Sequence, residues 1–247
     1  MKKNTNYYIR KAHRYLGVFI GIQFLFWTVG GLYFSWSDLD KIHGDHLATH
    51  KEGLSISSEI VSPADIMSSM KNDGNPQKIL RIELIEVLGE PYYQFHFQKG
   101  KLRLFSAISG ELRKQFTEFE AITISKEHIA FTAEVKETQL LTSVGNHHEY
   151  RERHLPVWAI TFDYQSQPIV YVDAVSGQFE RVRHNSWRVF DWLWMLHTMD
   201  YETRDNFGNW LLKGFSIMGL ITVLSGFLLF GVSYNKREFK FLTLKKS

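Results

Sequence analysis

The chain contains no cysteine among its 247 residues. That absence excludes disulfide bonds, cysteine-ligated zinc, iron–sulfur clusters and a thiol nucleophile. Motifs of hydrolytic enzymes are missing as well: the sequence has no phosphate loop, no nucleophile elbow, no HExxH and no paired carboxylates in a supporting context. A hydrolase therefore has no support in the sequence, and no catalytic residue is assigned.

Charged residues are also absent from two long stretches, Tyr15–Phe34 and Gly214–Val232. At a rise of 1.5 Å per residue, a helix over the first stretch spans about 30 Å, which is the thickness of a bilayer core. The second stretch is nearly as long, so transmembrane helices are predicted at 15–35 and 209–233. A signal peptide is the alternative for the first stretch, but the run is too long and the residues after it are too bulky for a cleavage site.

Positive charge is concentrated at the two ends of the chain. Residues 1–14 and 234–247 together carry a net charge of +9, whereas the residues between them carry −6, which gives the overall +3. Basic segments beside membrane spans stay in the cytoplasm. Both termini are therefore predicted to be cytoplasmic and the central region periplasmic, in a bacterial inner membrane, and the basicity implies no nucleic-acid partner.

The central region contains an internal repeat. The segment SAISGEL, Ser106–Leu112, matches DAVSGQF, Asp173–Phe179, in residue class, and each segment follows a pair of strand-like runs. Gly110 and Gly177 occupy the place where a turn requires positive φ, which glycine adopts without steric cost. The repeat predicts two modules of similar fold.

Each copy of the repeat also has a predicted helix. Ser62 is a good N-cap and Pro63 suits a first turn, which places one helix before a strand at Ile79–Val87. The second helix is predicted at Ser125–Val135, and a polar linker over 136–155 follows it. Edge strands of such modules either pair with each other or accept a strand from a partner peptide.

The predicted fold class is therefore α+β, a membrane protein in which two transmembrane helices flank a periplasmic tandem of helix-plus-antiparallel-sheet modules. The predicted segments in chain order are a basic tail at 1–14, the first span at 15–35, a periplasmic connector at 36–56, modules at 57–116 and 117–183, an interfacial helix and loop at 184–208, the second span at 209–233 and a basic tail at 234–247.

Two hairpins that end in turns of the DAVSGQF type resemble PepSY domains. The segment RKAHRYLGVFIG, Arg10–Gly21, and the segment WLWMLHTMDY, Trp192–Tyr201, with the span that follows it, resemble the PepSY-associated transmembrane family. The resemblance covers nearly the whole chain. It implies either a membrane haem protein that reduces ferric siderophores in the periplasm or a binding module of the kind proposed to act on peptidases. The larger haem-bearing relatives have more spans than the two predicted here.

His13 and His197 are the candidate ligands of a b-type haem, because neutral imidazole is a standard ligand of haem iron. His13 stands at the start of the first span, where an interfacial histidine is the alternative. A helical wheel over Trp187–Met199 places His197 beside Trp194 and opposite Asp191, on an apolar face. The alternative for His197 is a core histidine whose N–H is satisfied by a carbonyl.

The bilayer separates His13 from His197 by about 30 Å, so the two imidazoles cannot ligate one iron. A two-fold homodimer would pair each histidine with its copy; a single haem in a monomer, held by His197 and an outer histidine, is the alternative. Small residues on both spans permit close helix contacts, between chains or within one chain. They are Gly17, Gly21, Ser216, Gly219 and Gly226. Interhelical hydrogen bonds account for the polar Gln23 and Thr28 inside the first span.

Three histidines follow the first span closely, in KIHGDHLATH. On a helix His43, His46 and His50 would share one face, and such spacing suits Zn, Cu or Fe. Gly44 disfavours the helix, and a solvated loop is the alternative. Further along, HHEYRERH, residues 147–154, either attracts an anionic ferric chelate or forms a solvated loop.

Three functions are open at this point. The first is a haem-dependent oxidoreductase that transfers electrons across the membrane to a periplasmic acceptor such as a ferric siderophore. The second is a membrane-tethered binding or regulatory module that docks a peptide through a sheet edge. The third is an accessory subunit of a larger membrane complex.

Overall fold

The computed structural model describes residues 5–49, 54, 59–72, 78–98 and 101–233. Its α-helices are α1 Thr5–Trp36, α2 Leu39–His43, α3 Pro63–Asn72, α4 Glu118–Glu127, α5 Asn185–Thr198 and α6 Trp210–Ser233, with a 3-10 helix at Asp45–Leu47. Its strands are β1 Ile79–Val87, β2 Glu90–Phe97, β3 Leu102–Ser106, β4 Val135–Leu141, β5 Val157–Phe162, β6 Ile169–Asp173 and β7 Phe179–Arg183. The chain forms two compact units: a helical unit of Met1–Trp36 with Asp191–Ser247, and a sheet unit of Ser37–Phe190.

The helical unit contains two helices that are long and apolar enough to cross a membrane, Tyr7–Trp36 within α1 and Trp210–Gly231 within α6. Almost none of either apolar segment is buried inside the protein, in contrast to the core helix of a soluble fold. Both predicted spans are therefore helical, although α1 begins at Thr5, ten residues before the predicted span. The chain is α+β, with these two helices flanking the sheets, and it fits a two-pass membrane protein.

The first sheet has the strand order β1-β2-β3 and is antiparallel throughout. Helix α3 covers it, because Ile66 packs against the buried phenylalanines of β2 and β3. Ser62 supports the start of this helix, since its Oγ accepts a hydrogen bond from the N–H of Ala64 at 3.2 Å. The predicted helix and the predicted strand at Ile79–Val87 are both confirmed.

The second sheet has the strand order β4-β5-β6-β7 and is also antiparallel. Helix α4 packs on it through Ala121 and Ile124, both buried. The same apolar cluster includes Val87, Leu104 and Phe116 from the first half of the sheet unit. Side chains from both copies of the repeat therefore form one core.

The second predicted helix is misplaced. It spans Glu118–Glu127 rather than 125–135, because Thr117 and Glu120 form a capping box that begins the helix earlier. Beyond its end, Ile129 forms a β-bridge and leaves the helical path.

The predicted polar linker over 136–155 is also wrong in its first part, because residues 135–141 form β4 and pair with β5. This strand lies at the edge of its sheet, and polar side chains such as Lys136 and Glu137 are solvent-exposed. Because few of its positions are buried, this edge strand is as polar as a loop, and its sequence resembles one.

The two sheets are separate, so the alternative in which the module edges pair with each other is wrong for the strands that the structure describes. The outer edge of β3 is covered by the chain that follows it. Ser106 N–H donates to Glu111 O at 2.9 Å, and Arg113 N–H donates to Leu104 O at 2.7 Å. The outer edge of β1 has no strand partner among the described residues.

The two repeated turns have the same hydrogen-bond pattern. Ser106 Oγ and Asp173 Oδ1 each accept hydrogen bonds from the backbone N–H groups two and three residues further on. Gly110 N–H donates to Ser106 O and Gly177 N–H donates to Asp173 O, both at 2.9 Å. The two glycines have φ of +74° and +67°, which confirms the predicted positive φ.

Candidate functional site

One face of α1 is turned into the helical unit, and we refer to it as the inner face. Its members recur every three or four residues and are buried or half-buried, as helical periodicity requires, whereas most of the remaining apolar side chains of α1 are exposed. The inner face comprises His13, Gly17, Ile20, Gln23, Trp27, Gly30 and Phe34. Of the two candidate haem ligands, His13 belongs to this face and His197 contacts it.

His197, near the end of α5, lies against the C-terminal part of the inner face. Its ring centroid is 5.6 Å from the centroids of both Trp27 and Phe34. The ring of Trp194, three residues earlier on α5, is nearly parallel to the imidazole at 6.4 Å. Gly30 lies next to the imidazole, since an added Cβ would be in ordinary van der Waals contact with His197 Nδ1 at 3.8 Å. The predicted apolar setting of His197 is confirmed.

His197 Nδ1 is buried and has no hydrogen-bond partner among the residues that the structure describes. The alternative in which a carbonyl satisfies this nitrogen therefore does not hold, and an unpaired buried polar atom costs about 1–3 kcal/mol. Burial also lowers the pKa of His197, which keeps the ring neutral near pH 7. A neutral imidazole is the form that binds a metal.

His13 lies at the other end of the inner face, and its tautomer follows from its hydrogen bond. His13 Nδ1 is 2.7 Å from Ser225 Oγ, while the Ser225 hydroxyl donates its one hydrogen to Thr222 O at 2.7 Å. Nδ1 must therefore carry the proton and donate to Ser225. The lone pair of His13 then resides on Nε2, in the arrangement by which second-shell partners orient ligating histidines.

His13 and His197 remain far apart along the helix. His197 packs at the level of Gly30, which is 17 residues after His13, and this separation amounts to about 26 Å of α-helix. The predicted conclusion that the two imidazoles cannot share one iron within a chain is confirmed by this placement.

A cavity of about 490 Å³ lies between α1 and α6, at levels between the two histidines. Added Cβ atoms at Gly17, Gly21 and Gly219 would meet nothing within 4 Å, so these glycines line open space rather than a tight helix contact. Gly226 is different, because an added Cβ would lie 3.5 Å from His13 Cε1. The cavity falls in the size range of small-molecule and cofactor sites.

Two further contacts position α5, one with Gln23 and one with Arg204, and the sequence predicted only the first. Gln23 Nε2 donates to Leu196 O at 3.0 Å, which confirms the predicted interhelical role of Gln23. Thr28 instead donates to Phe24 O within its own helix. The buried Asp191 carboxylate pairs with Arg204, a contact that the sequence pattern does not indicate.

The loop between α5 and α6 is organised by Asp200. Its carboxylate accepts hydrogen bonds from the Thr203 hydroxyl and from the N–H groups of Glu202, Thr203 and Asn206. Burial raises the pKa of Asp200, but these hydrogen bonds outweigh that effect and lower the pKa to about 2. The charged carboxylate thus stabilises the loop that directly follows α5, the helix that carries His197.

The Asp200 carboxylate predicts a pH dependence of stability. Its pKa is lower in the folded chain than the ordinary value of 3.8, so its contribution is present above that value and is lost as the pH falls through about 2. We expect the thermal midpoint of the wild type to fall more steeply below about pH 4 than that of Asp200→Asn, measured by circular dichroism of the detergent-solubilised chain. Equal slopes for the two proteins would show that the loop does not depend on this charge.

The described histidines of the predicted metal cluster near the first span contact different residues. Helix α2 ends at His43 because Gly44 adopts φ +91°, so no continuous helix presents the histidines on one face. The His43 ring contacts Trp187 and the His46 ring contacts His184, while His50 lies outside the described residues. Among the described residues, no group of three or more His, Asp or Glu side chains is arranged to hold a metal ion. The metal assignment stays a prediction.

Comparison with models of protein families, with curated proteins and with solved structures found no match. The resemblance to the PepSY-associated transmembrane family therefore stays a prediction from the sequence.

Proposed function

We propose that this chain is an inner-membrane protein that binds b-type haem through His13 and His197 and transfers electrons across the membrane to a periplasmic acceptor such as a ferric siderophore. In this proposal both termini are cytoplasmic, in agreement with the positive charge of the two terminal segments. The sheet unit then faces the periplasm, where the acceptor is.

One observation carries the proposal. Two imidazoles contact a single face of a membrane-length helix, and each keeps one ring nitrogen without a protein partner in the described part of the chain: Nε2 of His13 and Nδ1 of His197. For His197 Nδ1, which is buried, the missing partner is unusual, because buried polar atoms are normally hydrogen-bonded. Unpartnered nitrogens at both ends of one span are the donor set that a transmembrane pair of haem sites requires.

The side chains around the two histidines fit such a site. Ser225 fixes the His13 tautomer, and the aromatic rings of Trp27, Phe34 and Trp194 limit the access of water to His197. When bound, haem supplies a one-electron centre at each end of the span. In this proposal a homodimer, in which the second ligand of each iron comes from the other copy, would complete both coordination pairs.

The visible spectrum of the protein tests the proposal. The full chain, purified in detergent from haem-replete cells, is expected to show a Soret band that shifts on reduction with dithionite, together with haem in a pyridine assay. Absence of both signals would overturn the haem assignment. The same assay separates an electron-transfer protein from an accessory subunit without redox activity.

A second candidate, a tethered binding module, is favoured by the outer edge of β1, which has no strand partner among the described residues. A cavity of about 630 Å³ lies beside the end of this strand, lined by residues 84–89, by the end of α4 and by Gly177–Phe179. A strand edge next to a cavity suits the addition of an extended peptide. This candidate predicts a co-purifying partner that is retained in the His13→Ala/His197→Ala double variant; loss of that partner in the double variant would count against it.

A further inference from the structure

Unpartnered polar atoms are concentrated in one short segment of the sheet unit. Of the eleven buried side-chain nitrogen and oxygen atoms without a hydrogen-bond partner in the described part of the chain, four lie between residues 181 and 187. They are Nε of Arg181, Nε of Arg183, Nδ1 of His184 and Nε1 of Trp187. Native proteins leave few such atoms, and all four are nitrogens, three of them obligatory donors. The three donors, on Arg181, Arg183 and Trp187, therefore lack acceptors among the described residues.

The β7 strand brings the two arginines together. Alternate residues of a strand share a face, so Val182 enters the core while Arg181 and Arg183 lie on the opposite face. Arg181 is opposite Tyr171 in the register of β6 and β7. Because β7 is the last strand of its sheet, this pair of guanidinium groups lies at the sheet edge.

Arg183 is held in a fixed orientation by stacking. The residue is 5% exposed, and its guanidinium carbon lies 3.5 Å from the centroid of the Trp187 ring. Among the described residues its one hydrogen bond joins Nη1 to the neighbouring Val182 O at 3.4 Å, which is at the upper limit for such a bond. Stacking occupies the flat face of the guanidinium but provides no acceptor for the N–H groups in its plane.

A cavity of about 370 Å³, the arginine cavity, opens at this edge of β7. It is lined by His43, Gly44, Asp45, Ala48, Arg153, Phe179, Glu180, Arg181, Val182 and Arg183. Gly44 brings the turn after α2 close to the strand, since an added Cβ would lie 3.2 Å from Val182 O. Three of the residues that line the arginine cavity are arginines, Arg153, Arg181 and Arg183.

The charges around the arginine cavity disfavour one another. Burial, and then the neighbouring Arg153, lower the pKa of Arg181; burial, and then Arg181, lower the pKa of Arg183 to about 9. Burial raises the pKa of Glu180, which weakens the compensating charge of this carboxyl group at the arginine cavity. Glu149 is engaged elsewhere, since it accepts from Arg188 Nε at 2.8 Å and from the Tyr171 hydroxyl at 2.9 Å. An added anion would relieve the repulsion among the guanidinium groups.

We propose that the arginine cavity binds a small oxyanion, a carboxylate or a phosphate, through the guanidinium groups of Arg153, Arg181 and Arg183. Guanidinium N–H groups match both anions with paired, charge-assisted hydrogen bonds, which an ammonium group cannot reproduce. The site lies entirely in the sheet unit and does not depend on haem or on its proposed ligands.

Isothermal titration of the full chain in detergent tests this site, with citrate as the carboxylate probe and inorganic phosphate as the phosphate probe. The wild type is expected to bind at least one probe saturably at constant ionic strength set with sodium chloride, and the tighter probe identifies the class. Arg183→Lys is expected to weaken that binding at least tenfold. Absence of saturable binding of both probes to the wild type would overturn the proposal.

Two variants separate binding from folding. Arg103→Lys is the matched control, because Arg103 also lies over an aromatic ring, that of Phe97, but belongs to the other sheet and does not line the cavity. It is expected to bind the probe as the wild type does. Arg153→Gln changes a solvent-exposed residue of the cavity and is expected to weaken binding without lowering the thermal midpoint. Unchanged affinity in both Arg183→Lys and Arg153→Gln would contradict the assignment, whereas His13→Ala/His197→Ala is expected to leave the affinity as it is.

Discussion

Alanine at His197 is expected to remove one of two populations of bound haem and to leave the other in place. Since His13 and His197 are about 26 Å apart along α1, each would contribute to a separate haem site in the proposed function. The haem content per chain, measured in a pyridine assay, is expected to fall by about half in either single variant and to be negligible in the double variant. Full retention of haem in both single variants would show that the ligands are other residues.

Two controls distinguish ligation from a loss of folding. His147→Ala removes an exposed histidine of the sheet unit and is expected to retain the wild-type haem content. Ser225→Ala leaves both imidazoles in place but removes the acceptor of His13 Nδ1–H. Because loss of a second-shell partner typically weakens a metal site 10- to 100-fold, this variant is expected to lower haem affinity at the His13 site only. An unchanged affinity in Ser225→Ala would contradict the ligand role of His13.

Alanine at Gly177 is expected to destabilise the sheet unit strongly. An added Cβ would lie 2.6 Å from Phe116 Cζ and 2.8 Å from Val87 Cγ1, and φ is +67°. The Phe116 ring cannot easily move away, because its backbone is held by hydrogen bonds from Trp158 Nε1 and to Ala174 O. Backbone strain of about 1–2 kcal/mol and overpacking of about 1–3 kcal/mol then add.

Gly89→Ala is the matched control for this substitution. Gly89 has φ +80°, but an added Cβ would meet nothing within 4 Å, so only the backbone strain applies. Thermal unfolding of the full chain, followed by circular dichroism, is expected to show a clearly lower midpoint for Gly177→Ala than for Gly89→Ala. Equal midpoints would show that the contact with Phe116 does not limit the turn.

Local sequence patterns were sufficient to predict most of the helices and strands. Two uncharged runs predicted the two long helices, and alternation with turn residues predicted the strands that became β1, β2, β3, β5 and β6. The capping box at Thr117 and Glu120 was equally readable and would have placed α4 correctly. Strand β4 was not readable, because its exposed polar residues lack the pattern of a half-buried strand.

Some features of the candidate sites could likewise be predicted from the local sequence, and others could not. The apolar face of His197 follows from helical periodicity alone, because the positions that share a face are set by 3.6 residues per turn. The Ser225 hydrogen bond that sets the His13 tautomer and the rings of Trp27 and Phe34 around His197 join groups that are far apart in the sequence, so helical periodicity does not predict them.

By itself the sequence determined the two apolar spans, the positive terminal segments and the repeated turns with glycine at positive φ, because each depends on neighbouring residues. Only the tertiary structure decided which nitrogens of His13 and His197 lack a partner among the described residues, that the glycines between α1 and α6 line a cavity, and that three arginines belong to the lining of another cavity. Those features depend on contacts between segments as far as 212 residues apart, which no local pattern encodes.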